Sequence, residues 1–233
     1  MALSLYRERE REQDIAFGAL EYHDVFKIFR SGPAETVALR GLDLRIEKHE
    51  LVALFGPSGS GKSTALHLAA GLDEPSAGDI VCFGRSLARL DDSELADYRA
   101  RDIAIVFQGG NLWPSLSVRD NITLTLRLAG RTDDDGALER FGLEGRERQR
   151  AGSLSGGEQQ RLAIAAAAAR RARLVLADEP TAELDEKNER TVLEAFHRLR
   201  DELESTIVIV THSLRVAAAA DRVIELRDGA VTG

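Results

Sequence analysis

The residues best suited to chemistry fall in two short stretches. Gly56-Pro57-Ser58-Gly59-Ser60-Gly61-Lys62-Ser63 fits the spacing G-x-x-x-x-G-K-[ST] with nothing missing. Glycines at this density let the backbone curl until successive N–H groups point inward at phosphate oxygens. Lys62 is expected to reach the β and γ phosphates, and the Ser63 hydroxyl to ligate Mg²⁺, with Thr64 closing the same cradle. The second stretch, Leu174-Val175-Leu176-Ala177-Asp178-Glu179, ends an apolar run on two carboxylates. Asp178 is expected to complete the Mg²⁺ shell and Glu179 to orient and polarise an attacking water, as a positioned general base does. Acidic residues at a strand end are common turn formers. Paired with the phosphate loop, they read as the machinery of nucleotide hydrolysis.

Such groups need rigid elements to hold them. The unbroken apolar run Leu51-Val52-Ala53-Leu54-Phe55 suits a strand buried on both faces of a parallel sheet, and a helical pattern starts near Lys62, placing a helix N-terminus at the phosphates. Residues 103–106, 174–177 and 207–210 repeat the buried-strand signature. Residues 19–29 and 37–47 also read as strands, the second alternating with Leu42, Leu44 and Ile46 inward and Asp43, Arg45 and Glu47 outward. Val192, Phe196, Leu199 and Leu203 share one helix face. Buried strands alternating with such helices predict an α/β fold with a mainly parallel sheet covered on both sides. From about 109 to 165 the pattern turns helical and polar, broken between Gly130 and Gly136, and reads as an inserted helical subdomain. Residues 1–17 read as a charged, solvated extension ahead of one domain over 18–233.

The 233 residues carry 31 Lys and Arg against 39 Asp and Glu, a net charge of −8. That balance gives no basic footprint for nucleic acid, which is not an expected partner. Cys82 is the single cysteine, so no intramolecular disulfide forms, and its apolar neighbours predict a buried, inert thiol. No run approaches the roughly 18 apolar residues that span a bilayer, and the N-terminus has no signal-peptide core. The expected location is the cytoplasmic face of the membrane, reached through a partner.

A third motif decides among phosphate-loop proteins. Leu154-Ser155-Gly156-Gly157-Glu158-Gln159-Gln160-Arg161 resembles the signature of ABC ATPases and stands at the expected place upstream of the acidic pair. Read from residues alone, Ser155 followed by Glu158 is a capping box opening a helix, and the same N–H groups can meet an anion. The resemblance runs from residue 19 to 233. It implies a phosphate-loop core with an antiparallel β subdomain at the N-terminal side, ATP and Mg²⁺ as ligands, and a second ATPase subunit, expected to be an identical chain. In that dimer Ser155, Gly156, Gly157 and Glu158 cap the ATP held by the opposite subunit. Gln108 resembles the loop glutamine that touches Mg²⁺ and senses the γ-phosphate. His212 resembles the switch histidine that steadies the catalytic water. Asp185 lies in a segment, from Ala182, resembling the loop that crosses the dimer interface, and Phe29 stands where a tyrosine usually stacks on adenine.

Departures from the family pattern are local. Phe29 can stack without hydrogen bonding, Gly109 and Gly110 follow the loop glutamine, and Ala165 to Ala169 replace a stretch that usually carries an arginine. None removes a catalytic group, so an active ATP hydrolase is expected. The chain looks most like the lipoprotein-releasing and macrolide-exporter branch, which implies an integral membrane permease as partner. The cell-division ATPase of that branch is a close competitor, in which turnover signals through a membrane partner without transport. A soluble ATPase acting on ribosomes or DNA is disfavoured, because the chain has neither a second cassette nor a coiled-coil insertion. Trp113, in the stretch after Gln108, is expected either to pack in the core or to meet the permease.

Overall fold

The computed structural model describes residues 17–32, 34–109 and 111–232. The charged extension expected over residues 1–17 lies outside these apart from Phe17, as does Gly110. Strands β1 (Leu20–Ser31), β2 (Ala34–Ile46), β4 (Ala77–Cys82) and β5 (Arg85–Ser86) form an antiparallel sheet in the order β2-β1-β4-β5. Strands β3 (Leu51–Phe55), β6 (Ile103–Val106), β7 (Leu174–Asp178), β8 (Thr206–Thr211), β9 (Arg222–Arg227) and β10 (Ala230–Val231) form the second sheet, ordered β10-β9-β3-β8-β7-β6. All its pairs are parallel except the terminal β9–β10 hairpin.

Among the described residues seven α-helices accompany the sheets: α1 (Lys62–Ala69), α2 (Asp92–Arg101), α3 (Val118–Leu128), α4 (Ala137–Arg140), α5 (Gly156–Arg170), α6 (Glu186–Leu203) and α7 (Leu214–Ala218). The unbroken apolar runs have a direct cause, because the parallel sheet is buried on both faces. Leu174, Leu176, Val208 and Val210 face one core, shared with Leu20, Tyr22, Leu39 and Leu66. Val175, Ala177, Ile207 and Ile209, one residue out of phase, face the other, shared with Ile122, Leu162 and Phe196. Period-two alternation thus splits each strand between two cores. Val192, Phe196 and Leu199 lie on the buried face of α6, as their spacing predicts, and Leu203 packs at its edge.

Between β6 and β7 the chain is helical, as expected. Its longest helix, α5, buries Ala163, Ala165, Ala167, Ala168 and Ala169. Alanines have no side chain beyond Cβ, so α3 and α6 can pack closely on it. Cys82 is buried, and burial pushes its thiol up to about 12, an inert sulfur as expected.

Candidate nucleotide site

Register places the chemistry. Phe55 pairs with Thr211, Asp178 with Val210, and Val106 with Ala177. The C-terminal ends of β3, β6, β7 and β8 therefore lie along one sheet edge, where open α/β sheets bind ligands. The phosphate loop follows β3, Gln108 follows β6, Asp178 and Glu179 close β7, and His212 follows β8. Residues spread over more than half the chain meet because four parallel strands end together.

Close approach and backbone sign explain the glycines of the loop. A Cβ on Gly56 would lie 2.2 Å from the Leu226 carbonyl oxygen, and one on Gly61, at φ 97°, would lie 2.5 Å from that of Ala38. Gly61 is the N-cap of α1 and supplies no side-chain cap, so the first N–H groups of that helix remain open to an anion. Lys62 is buried and its Nζ donates to the carbonyls of Gly56 and Pro57 at 2.8 and 2.9 Å. Burial lowers the pKa of its ammonium, while the charges of Glu179 and Asp178 oppose that shift. Ser60 Oγ is buried without a hydrogen-bond partner, the kind of polar atom that a bound oxyanion satisfies. Pro57, Ser58 and Gly59 complete the turn.

Ser63 Oγ donates to Asp178 Oδ1 at 3.0 Å, bringing a hydroxyl and a carboxylate together beside the loop. Two oxygen donors with no further cluster of metal-binding side chains among the described residues match a cation held jointly by protein and substrate phosphates. Beyond Asp178 the backbone turns sharply. Glu179 has φ 45°, a left-handed conformation that costs a non-glycine residue of the order of 1 kcal/mol. Its N–H is anchored to the Val210 carbonyl at 3.0 Å, and its Oε1 meets His212 Nδ1 at 2.7 Å. With the carboxylate accepting, Nδ1 carries the proton of that bond. A carboxylate held by a histidine next to a phosphate cradle can orient water.

Phe29 is half-exposed on β1 opposite Thr36, one strand over and two residues along from Ala38. Lys27 Nζ sits 5.0 Å from its ring centroid. Gln108 directs its Nε2 to Glu183 Oε1 at 3.1 Å, and not to the Ser63–Asp178 pair. Ser155, the N-cap of α5, accepts from Glu158 N, while Glu158 Oε2 accepts from Ser155 N and Oγ at 2.9 and 2.8 Å. The predicted capping box is present. Those two hydrogen bonds hold the Glu158 carboxyl below its ordinary range, and Arg146 pairs with it at 3.2 Å.

Two contacts carry no signal in the sequence. A Cβ on Gly157 would lie 2.6 Å from Asn188 Oδ1, so α6 passes against the second glycine of the signature. Asn188 in turn donates to both carboxylate oxygens of Asp185, the N-cap of α6, at 3.0 Å. Gln160 donates to the Phe107 and Gln108 carbonyls. Neither contact follows from a motif, because both depend on how two helices meet a loop in space.

A phosphate loop at a parallel-sheet edge, with an acid pair on the adjoining strand, defines a nucleoside-triphosphate hydrolase domain. The profile of the family described as ABC transporter matches residues 39–182. The lipoprotein-releasing system ATP-binding protein LolD of Koribacter versatilis is 39% identical over 211 residues, covering 88% of this chain and 95% of that protein. A macrolide export ATP-binding/permease protein, MacB, of Rhodopseudomonas palustris is 45% identical over 212 residues, and the chain spans 32% of that longer protein. A dimeric post-hydrolysis structure of the ATP-binding cassette MJ0796, bound to ADP and Pi, superimposes with a TM-score of 0.83 at 35% identity, covering 92% of this chain and 97% of that one. The chain therefore belongs to the ABC transporter family, as an ATP-binding and ATP-hydrolysing subunit.

Proposed function

We propose that two copies of this chain close head to tail on two ATP molecules and so drive a separate integral membrane permease of export or lipoprotein-release type. The observation that carries this reading is the meeting of Ser63, Asp178, Glu179 and His212 at the sheet edge beside Lys62. In this reading residues 56–64 of one subunit hold the phosphates, and Ser155, Gly156 and Gly157 of the other offer open N–H groups to the γ-phosphate. Phe29 stacks on the base. Asp185 lies at the subunit contact.

Glu179 accepts a hydrogen bond from the water that attacks the γ-phosphorus, and His212 fixes the carboxylate while its other nitrogen faces the transferred group. Lys62 and the loop N–H groups stabilise the negative charge that grows on the equatorial and leaving oxygens. Ser63, Asp178 and Gln108 would hold Mg²⁺, which when bound neutralises charge on the β and γ phosphates. Phosphate release removes the contacts that bridge the subunits, and the dimer opens.

In this reading the subunit sits at the cytoplasmic face through the permease; no helix among the described residues is long and apolar enough to cross a membrane. Trp113 is 45% exposed and Leu128 57%. Both line a groove with Ala163 and Ala166, and in this reading the groove receives the permease. The names of the lipoprotein-releasing and macrolide-export relatives support the branch.

The test uses tagged Glu179→Gln protein expressed in its own host and purified from detergent-solubilised membranes with Mg·ATP. A co-purifying integral membrane protein is the expected outcome, together with a shift in Trp113 fluorescence in the complex. Recovery only with ribosomal or other cytosolic partners would leave the ATPase in place and remove the transporter role.

A further inference from the structure

The loop bearing Gln108 is held by Gln160, a residue of the signature stretch whose contact the motif itself does not foretell. Strand β6 ends at Val106, so the sheet ladder supplies nothing to the next two carbonyls. Gln160, on the second turn of α5, supplies both bonds: its Nε2 donates to Phe107 O at 3.1 Å and to Gln108 O at 2.5 Å. Gln160 is 3% exposed, and its Oε1 is buried with no partner. Two backbone acceptors fix which end of the amide faces the loop, since only the NH₂ group can donate. A buried acceptor left unpaired is a cost, so the two donors are what this amide contributes to the fold.

The same helix begins at Ser155, five residues earlier. A straight helix rises 1.5 Å per residue, so the signature and the Gln108 anchor lie about 7.5 Å apart along one rigid rod. At its other end Gln108 is engaged by Glu183 of the loop before α6. Its backbone is thus tied to α5, while its side chain bonds to a different element.

We propose that Gln160 is a positioning residue for ATP hydrolysis, tying the Gln108 backbone to α5 so that engagement of Ser155 to Gly157 by the opposite subunit's ATP brings Gln108 to the Ser63–Asp178 pair. The inference rests on the roles proposed above for Gln108 and the signature residues. It adds an intramolecular linkage between one composite site and the other: the signature of each subunit reads its partner's ATP, while Gln108 reads its own.

Gln160→Met keeps length and burial but removes both donors, and Gln160→His restores one. In the full-length protein, Gln160→Met is expected to lower kcat about tenfold, a change of about 1.4 kcal/mol in barrier. The ATP KM stays within about twofold, and Gln160→His recovers part of the rate. The decisive readout is a double-mutant cycle with Gln108→Ala: the Gln160→Met effect disappears in that background, because both act through one group. Equal losses in both backgrounds, or a wild-type kcat for Gln160→Met, would overturn the linkage alone. A wild-type kcat for Gln108→Ala would overturn the proposed role of Gln108 and the linkage with it. If Gln160→Met does not fold, the same cycle run with Gln160→His decides the matter by the same criterion.

Discussion

Two helix N-termini in this molecule are assigned to phosphate in the proposed reading, and they are built differently. At α1 the N-cap is a glycine in the left-handed region, with no side chain spent on the first turn. That cradle is open and pre-formed. At α5 the N-cap is Ser155 in a closed capping box, and a carboxylate, Glu158, occupies the end of the helix. Its own side chains accept from the Ser155 and Glu158 N–H groups. The difference shows how the proposed division of labour is encoded: α1 binds a nucleotide unaided, whereas α5 adds its N–H groups only when a second subunit presents one.

The strongest test of this contrast removes the chemistry and keeps both cradles. Glu179→Gln is expected to cut turnover by about 10²–10⁴-fold, the range for losing a positioned general base, while ATP binding persists. Size-exclusion chromatography with Mg·ATP should show a stable dimer. Turnover at the wild-type rate would remove Glu179 as the base, and loss of turnover without a dimer would break the contrast itself.

Next in size is Gly157→Ala. Its new methyl meets Asn188, so ATP-driven dimerisation and turnover should fall about 10–100-fold, equivalent to about 1.4–2.8 kcal/mol, with nucleotide binding to the monomer unchanged. Adding Asn188→Ala relieves the clash and should restore part of the dimer. If Gly157→Ala instead weakens binding to the isolated monomer, the two cradles are not independent.

A smaller effect is expected at Ser155. Ser155→Ala removes the cap and should lower unfolding stability by about 1 kcal/mol, read by urea denaturation. No equivalent loss is available at α1, where no side-chain cap exists to remove.

The smallest change sharpens the comparison through charge. Glu158→Gln should lower monomer stability by about 0.3–1 kcal/mol, because a carboxylate at a helix N-terminus is favourable. It should also tighten ATP-dependent dimerisation about two- to fivefold by removing a negative charge beside the incoming phosphate. The folded-state pKa of Glu158 lies below its ordinary 4.5, so the folded protein releases this proton more readily than the unfolded chain. The stabilisation is therefore complete above about pH 4.5 and is lost as pH falls through the folded pKa. Wild type and variant should converge in acid; a constant gap would assign the difference to shape and not to charge.

Much of this was legible in the residues because strand and chemistry are adjacent in the chain. An apolar run followed by Gly56, and another followed by Asp178 and Glu179, announce the buried strands and bring the residues assigned to the ligand to one sheet edge. The resemblance carried by residues 154–161 extended the reading to Gln108, His212 and Phe29. Gln160 stayed hidden because it bonds to backbone carbonyls, which every residue has. Asn188 stayed hidden because its contact with Gly157 depends on how α5 and α6 cross. Short β5 and the bulged pairing of β1 with β2 lie below what a period-two pattern resolves. Trp113, for which a core place and a partner contact stood equally open, is half-exposed beside Leu128.

The position of β3 has a consequence for how the molecule is made. Both its neighbours, β8 and β9, lie about 150 residues or more further along the sequence, and the phosphate loop is backed by Leu226 and tied through Ser60 to Gly229. During synthesis the loop leaves the ribosome early but stays unsupported until these strands follow. At about 5–20 residues per second that interval is on the order of 10–30 seconds. The loop therefore takes its folded shape only once β8 and β9 have joined β3, so the order of strand pairing, and not the early position of Gly56 in the sequence, sets when the phosphate cradle forms.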